Sequence, residues 1–337
     1  MIILGSNGIG KSNLLESVEF LTQLKSNRAL SDKDLINIKS DSATIISQVN
    51  FTDDLKINLY RKGGKKIYVN ECPVKKQTDI KDYLRSVCFC SNDIYIIKGE
   101  PNLRRTWLDK VVMQLEPVYN ELLLRFNRLL KQRSHYWRYR ASIKSKSDSL
   151  MDSYDSQLAL LSTRIFRRRR RALEKLRPFI EYWHNHLSKS KEKIRFKYVS
   201  TIEDISIEDG EKEIIKKILD QLIKQREIEA ITGKCSVGPH RDEIEFLINE
   251  ISIRKFGSSG QQRTMILALK MAELELLKNT FRVPPLLVLD DVLAELDTTR
   301  QNLLLKSVGK ESQSLISATH LDEFNQSFLS NSQIICL

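Results

Sequence analysis

Cysteine is scarce in this sequence and never paired. Five residues in 337 (Cys72, Cys88, Cys90, Cys235 and Cys336) make no CxxC and no His/Cys spacing of a zinc site. A disulfide framework and a metal cluster are thereby excluded, and a reduced, cytoplasmic protein is expected. No apolar run reaches bilayer length, so no membrane partner is expected. The opening MIILGSNG lacks the basic leader and cleavage site of a secretory signal. No helix-turn-helix, zinc-finger or RNP pattern is visible, which argues against reading of a base sequence. No internal repeat is found either. What is present is charge: 55 Lys+Arg against 43 Asp+Glu, a net +12, on a chain that is 41% hydrophobic. Such a composition folds rather than stays disordered, and the length suggests about two lobes. The positive surplus suits an acidic partner such as nucleic acid.

The order of elements reads as α/β, then helical, then α/β. Met1 to Leu4 is a very short strand running into a Gly-rich turn, and Lys11 to Leu24 is a helix with Leu14, Leu15, Val18 and Leu21 at helical spacing. Residues 43–70 alternate as a β-meander turning at Lys62-Gly63-Gly64-Lys65. From Asn102 the pattern is helical, with a polar hairpin turn near Lys144 to Ser149. A further helix runs from about Leu150 to Leu176 and is expected to end or kink at Pro178. Strands return at Lys193–Ser200, Ile244–Ile253, Leu286–Leu289 and Ser314–Ala318. The expected divisions are 1–100, a helical insertion at 101–232, and 233–337.

Gly5-Ser6-Asn7-Gly8-Ile9-Gly10-Lys11-Ser12, followed by Asn13, fits the phosphate-loop pattern GxxxxGK[ST] between a strand and a helix. Its backbone N–H groups and helix N-terminus suit the phosphates of ATP. Lys11 reaches the β- and γ-phosphates, and Ser12 is a ligand for Mg²⁺. A chance Gly-rich turn is the plainer alternative. Leu286-Leu287-Val288-Leu289-Asp290-Asp291 is an apolar strand ending in two acids. Asp290 is assigned to the metal and Asp291 to the attacking water, against the alternative of a solvated acidic turn. The two motifs stand near opposite ends of the chain, unlike those of small GTPases. Between them, Ser258-Ser259-Gly260-Gln261-Gln262 opens an apolar helix, as in the signature loop of ABC-type ATPases. Ser is also a good N-cap, so a plain capped helix is the competing reading. Asp297 takes the D-loop place and His320 that of a switch histidine.

Together GSNGIGKSN, SSGQQRTMILALKMAELELL, PPLLVLDDVLAELD, KGEPNLRRTWLDKVVMQLEPVY and SVGPHRDEIEFLIN resemble the RecF family of recombination mediators along essentially the whole chain. The resemblance implies a P-loop ABC-type ATPase head with an inserted, mainly helical lobe forming a short arm. It implies ATP and Mg²⁺ as cofactors and an ATP-dependent homodimer in which the signature acts in trans. It further implies binding to single-stranded and gapped DNA, RecO and RecR as partners, and support of RecA loading, gap repair and the SOS response. RecF-like heads begin with two strands before the phosphate loop, and here only Met1 to Leu4 precede it; a short N-terminus and an unpaired sheet edge are expected. No Q-loop glutamine follows Phe89, where Ser91 to Asp93 stand.

Arg167, Arg168, Arg169, Arg170 and Arg171 are candidate DNA contacts. Neighbours on a helix differ by about 100°, so all five cannot face one duplex, and a solvated helix paired with acids such as Glu174 is the alternative. Arg104, Arg105, His240 and Arg241 receive no role from spacing. The leading reading is a weak, DNA-stimulated ATPase used as a clamp. Its rivals are a nucleotide-binding scaffold with little hydrolysis and, against the helical insertion, an ABC transporter subunit.

Overall fold

The computed structural model describes residues 1–26, 28–29, 31–49, 52–74, 80, 83–140, 149–188, 192–307 and 312–337. Its strands are β1 (Ile2–Leu4), β2 (Ser42–Val49), β3 (Asp53–Tyr60), β4 (Gly64–Val69), β5 (Cys72–Pro73), β6 (Ser86–Cys90), β7 (Ile194–Val199), β8 (Glu243–Ile248), β9 (Ile251–Ser252), β10 (Leu286–Asp290), β11 (Ser314–Ala318) and β12 (Ile334–Cys336). Its helices are α1 (Lys11–Gln23), α2 (Tyr95–Lys98), α3 (Pro101–Leu115), α4 (Tyr119–Arg140), α5 (Ser149–Ser188), α6 (Glu211–Lys224), α7 (Arg226–Thr232), α8 (Ile253–Phe256), α9 (Ser259–Thr280), α10 (Thr298–Ser307) and α11 (Gln326–Leu329).

Two units form. The first joins Met1–Asp93 to Leu269–Leu337, and the second is Ile94–Ala268. In the first, a parallel sheet has the order β12-β1-β11-β10-β6, and β2 to β5 make an antiparallel meander. Parallel pairing fits strands that are buried on both faces, as β10 is throughout. The meander keeps the alternation of a one-faced sheet: Leu55, Ile57 and Leu59 point inward from β3. Helix α1 has two apolar faces. Phe20 and Leu21 join the meander's core, while Leu15 packs with Ile3, Leu286 and Val288 of the parallel sheet. The phosphate loop therefore leaves an interior strand, with β11 on one side of β1 and β12 on the other.

The second unit carries the long helices and the sheet β7-β8-β9. Trp107 of α3 meets Phe246 of β8 edge-on at 5.9 Å, and Phe246 meets Phe196 of β7 at 5.6 Å. Two sequence expectations are corrected here. Residues 233–268 fall in this unit rather than with the last strands, because β8 pairs along the whole of β7 and so belongs to the helical part. Helix α5 also runs through Pro178 to Ser188. The proline lies on the exposed face, while Leu176, Ile180, Trp183 and Leu187 continue the buried stripe past it. Burial of that stripe outweighs the hydrogen bond that proline withholds from Glu174. Residues 144–148 of the expected hairpin turn lie outside the described residues.

Candidate nucleotide-binding site

Gly8 and Gly10 have φ of 85° and 117°, a region that favours glycine, and they turn the chain from β1 into α1. Gly10 is the N-cap of α1 and has no side chain to occupy the first N–H groups of the helix. Lys11 is buried in the loop, its Nζ donating to Gly5 O at 2.7 Å and Ser6 O at 3.1 Å. Ser6, Asn7, Gly8, Ile9 and Asn13 are exposed.

The parallel register brings the C-terminal ends of β1, β10 and β11 to one edge, with Leu4 beside Ala318 and Leu289 beside Ile316. Ser12 and Asp290 meet there: Ser12 Oγ donates to Asp290 Oδ1 at 2.9 Å. A hydroxyl and a carboxylate are the hard oxygen ligands that Mg²⁺ takes, so the residues present fit that ion. Ser317, which spacing did not single out, lies between the two acids. Its Oγ is 3.0 Å from Asp290 Oδ1 and 3.2 Å from Asp291 Oδ1, and it accepts the Asp291 N–H at 2.8 Å. Asp291 sits at φ 54°, a sparsely populated conformation for a non-glycine residue. Such strain concentrates at functional sites.

Arg28, also absent from the sequence reading, pairs through Nη2 with Asp290 Oδ2. It follows α1, and Ser26 builds its turn by accepting the N–H groups of Arg28 at 2.9 Å and Ala29 at 2.7 Å. No periodicity marks either Ser317 or Arg28. A serine near the end of a neighbouring strand is the only sequence cue for the former.

Asp297 caps α10 by accepting the Arg300 N–H at 3.1 Å, and it pairs with the Arg300 guanidinium. Partial desolvation pushes its carboxyl up, but the Arg300 contacts outweigh this and hold it below the usual range. His320 is exposed, two residues beyond β11. Asp93 stands where a Q-loop residue was sought. It accepts the Cys90 N–H at 2.9 Å and lies 3.2 Å from Lys270 Nζ, which also donates to Cys88 O at 2.7 Å.

The signature residues belong to the second unit. Ser258 and Gln261 form a capping box: Ser258 Oγ accepts the Gln261 N–H at 3.2 Å, and Gln261 Oε1 accepts the Ser258 N–H at 2.9 Å. Both serines are exposed; Ser258 is committed to capping α9, and Ser259 lies beside Gly260. Gln262 is buried and donates to Ile253 O at 3.2 Å.

The arginine run divides. Arg169 is buried, donating to both oxygens of Asp109 at 2.8 and 2.9 Å, and so leaves the set of DNA candidates. Arg168 and Arg171 share Glu116 at 2.8 and 3.5 Å, and Arg170 lies 3.8 Å from Glu174. Arg167 has no ion pair among the described residues. Arg104 is structural, gripping Glu243 at 2.7 Å and three backbone carbonyls. Arg105 donates to Asp242 O, and His240 and Arg241 both bond Cys235 O.

A phosphate loop on an interior parallel strand, an acid pair on a strand of the same sheet and a signature-like helix start define an ABC/SMC-type ATP-binding head. The RecF/RecN/SMC N terminal domain model matches residues 1–334. The DNA replication and repair protein RecF of Synechococcus sp. (strain CC9605) is 47% identical over 335 residues, covering 99% of this chain and 92% of the relative. RecF of Cyanothece sp. (strain PCC 7425 / ATCC 29141) is 40% identical, covering 99% and 89%. Among solved structures, the recombination mediator protein RecF-ATPrS in the RecFOR pathway superposes with a TM-score of 0.89 at 28% identity, covering 100% of this chain and 89% of that one. The chain belongs to the RecF family.

Proposed function

We propose that this chain is an ATP-dependent, DNA-binding recombination mediator whose two heads close on ATP and clamp DNA at single-strand gaps. The observation that carries the reading is the convergence of Ser12 and Asp290 beside the phosphate loop, in a chain that belongs to a family of DNA replication and repair proteins. Lys11 neutralises the β- and γ-phosphates, and the N–H groups of the loop and of α1 hold their oxygens. Ser12 and Asp290 hold Mg²⁺, which supplies charge neutralisation at the phosphates when bound. Asp291 orients the attacking water. Ser259, Gly260 and Gln261 of a second copy approach the γ-phosphate, so closure depends on ATP. Asp297 serves as the D-loop acid and His320 as the switch histidine of the closed site.

Slow hydrolysis then releases the DNA. Contact with DNA is through phosphates, without base specificity, from basic side chains including Arg167 and Arg171. Membership of the family supports action in the cytoplasm with RecO and RecR, in gap repair, RecA loading and SOS induction. No helix of the described residues is long and apolar enough to cross a membrane.

The test is fluorescence anisotropy with a labelled gapped duplex, with and without ATP, at low and at physiological salt. Tight, salt-sensitive binding that requires ATP is expected; binding indifferent to ATP overturns the clamp. One observation favours the scaffold reading: Asp291, in the place usually held by a glutamate, is tethered by Ser317. Turnover measured on the DNA-bound protein separates the two, since a scaffold binds ATP and hydrolyses little.

A further inference from the structure

Both oxygens of the Asp290 carboxylate are occupied from inside the first unit. Oδ1 accepts Ser12 Oγ at 2.9 Å and lies 3.0 Å from Ser317 Oγ. Oδ2 is held by the Arg28 guanidinium. The arm that brings Arg28 there is built, not incidental. Helix α1 ends at Leu24 in a left-handed conformation with φ 56°, its N–H returning to Phe20 O. Ser26 Oγ then accepts two backbone N–H groups and donates to Glu16, a residue of α1 itself. The turn carrying Arg28 is thus pinned to the helix that begins at the phosphate loop.

We propose that Arg28 is a metal gate of the nucleotide site: it holds Asp290 closed to a divalent cation until a polyphosphate is bound. The inference rests on the reading of Ser12 and Asp290 as the metal-holding pair. The Arg28 guanidinium takes one lone pair of Oδ2 and sets a positive charge at the carboxylate, and two cations at one carboxylate repel. Metal entry is therefore disfavoured while Arg28 holds Oδ2. The phosphates of an arriving nucleotide bring the negative charge that draws the guanidinium away. The metal then binds in the company of nucleotide and weakly without it. The phosphate loop and α1 sense the phosphates, and α1 also bears the Glu16 anchor of the Arg28 turn, so sensing and gating share one helix.

The test uses Mn²⁺ as a probe for the divalent cation, followed by the loss of its free electron paramagnetic resonance signal in the presence of the protein. Wild type, Arg28→Ala, Arg28→Gln and Asp290→Asn are titrated without nucleotide and with a non-hydrolysable ATP analogue. Without nucleotide, both Arg28 variants are expected to bind Mn²⁺ about tenfold more tightly than wild type, the size of one removed repulsion near a protein surface. The gain shrinks in high salt and with the analogue bound. Asp290→Asn loses the site under both conditions. Unchanged or weaker Mn²⁺ binding in both Arg28 variants, with the site still lost in Asp290→Asn, overturns the gate and leaves the metal-site reading standing. Binding unaffected by Asp290→Asn overturns both. Two substitutions of different size guard against a folding failure, and an unchanged melting temperature identifies an intact fold.

Discussion

At the scale of single residues, the candidate site is a matter of which hydrogen bond each side chain has already made. Lys11 lies on the carbonyls of Gly5 and Ser6, ready to exchange them for phosphate oxygens. Lys11→Ala is expected to abolish ATP-driven dimerisation, read by light scattering with and without ATP. Asp291→Asn keeps ATP bound and lengthens the lifetime of the dimer, which a subunit-exchange assay measures. His240 supplies a pH prediction. Burial lowers its pKa from 6.5 to about 4; the bond to Cys235 O opposes this, while the charges of Arg241, Arg105 and Arg169 add to it. The unfolded chain takes up this proton near pH 6.5 and the folded one near pH 4. Stability therefore falls as pH drops through that window, by on the order of 3 kcal/mol. His240→Gln should flatten this part of the curve in urea unfolding followed from about pH 7 to about pH 4.5.

At the scale of elements, α5 shows how one run of sequence serves several ends. Its five adjacent arginines are legible in the sequence, but their roles are not, since a helix distributes them around its circumference. Arg169→Ala takes the guanidinium from the half-buried Asp109, which is still held by the Tyr119 hydroxyl, and is expected to cost about 3 kcal/mol in urea unfolding. Arg167→Ala is expected to change stability by less than about 0.5 kcal/mol while weakening DNA binding and lowering its salt slope. Pro178 also sits in this helix, exposed and without its N–H. Pro178→Ala restores a bond to Glu174 O and should stabilise the protein by about 2 kcal/mol, seen as a raised unfolding midpoint. The sequence reading ends or kinks this helix at Pro178, whereas the buried Ile180, Trp183 and Leu187 carry it on to Ser188. That burial wins over the break was not legible, because periodicity shows which face is apolar and not how well it is covered.

At the scale of the whole molecule, the net charge of +12 makes binding to a polyanion steeply salt-dependent. The slope of log affinity for gapped DNA against log salt counts the phosphates neutralised, and ATP is expected to steepen it by bringing two heads onto one duplex. A slope that ATP leaves unchanged contradicts closure around DNA. The chain passes between its two units at Asp93 and again within α9, whose first turn bears the signature and whose later residue Lys270 is fastened to Asp93 and Cys88 O. Signature and phosphate loop thus lie in separate units of the chain.

The sequence by itself determined the local chemistry: a phosphate loop between strand and helix, an acid pair ending an apolar strand, a capped helix, and the alternation of the meander. These depend on neighbours in the chain, so composition and period suffice to read them. Tertiary structure alone decided that Ser317 stands between Asp290 and Asp291, that Arg28 reaches Oδ2, and that Arg169 is interior. Each of these depends on strand order and register, which bring residues from distant parts of the chain within 3 Å or so of one another. Strand order is set by the burial of whole faces, a sum over many residues that no single motif records.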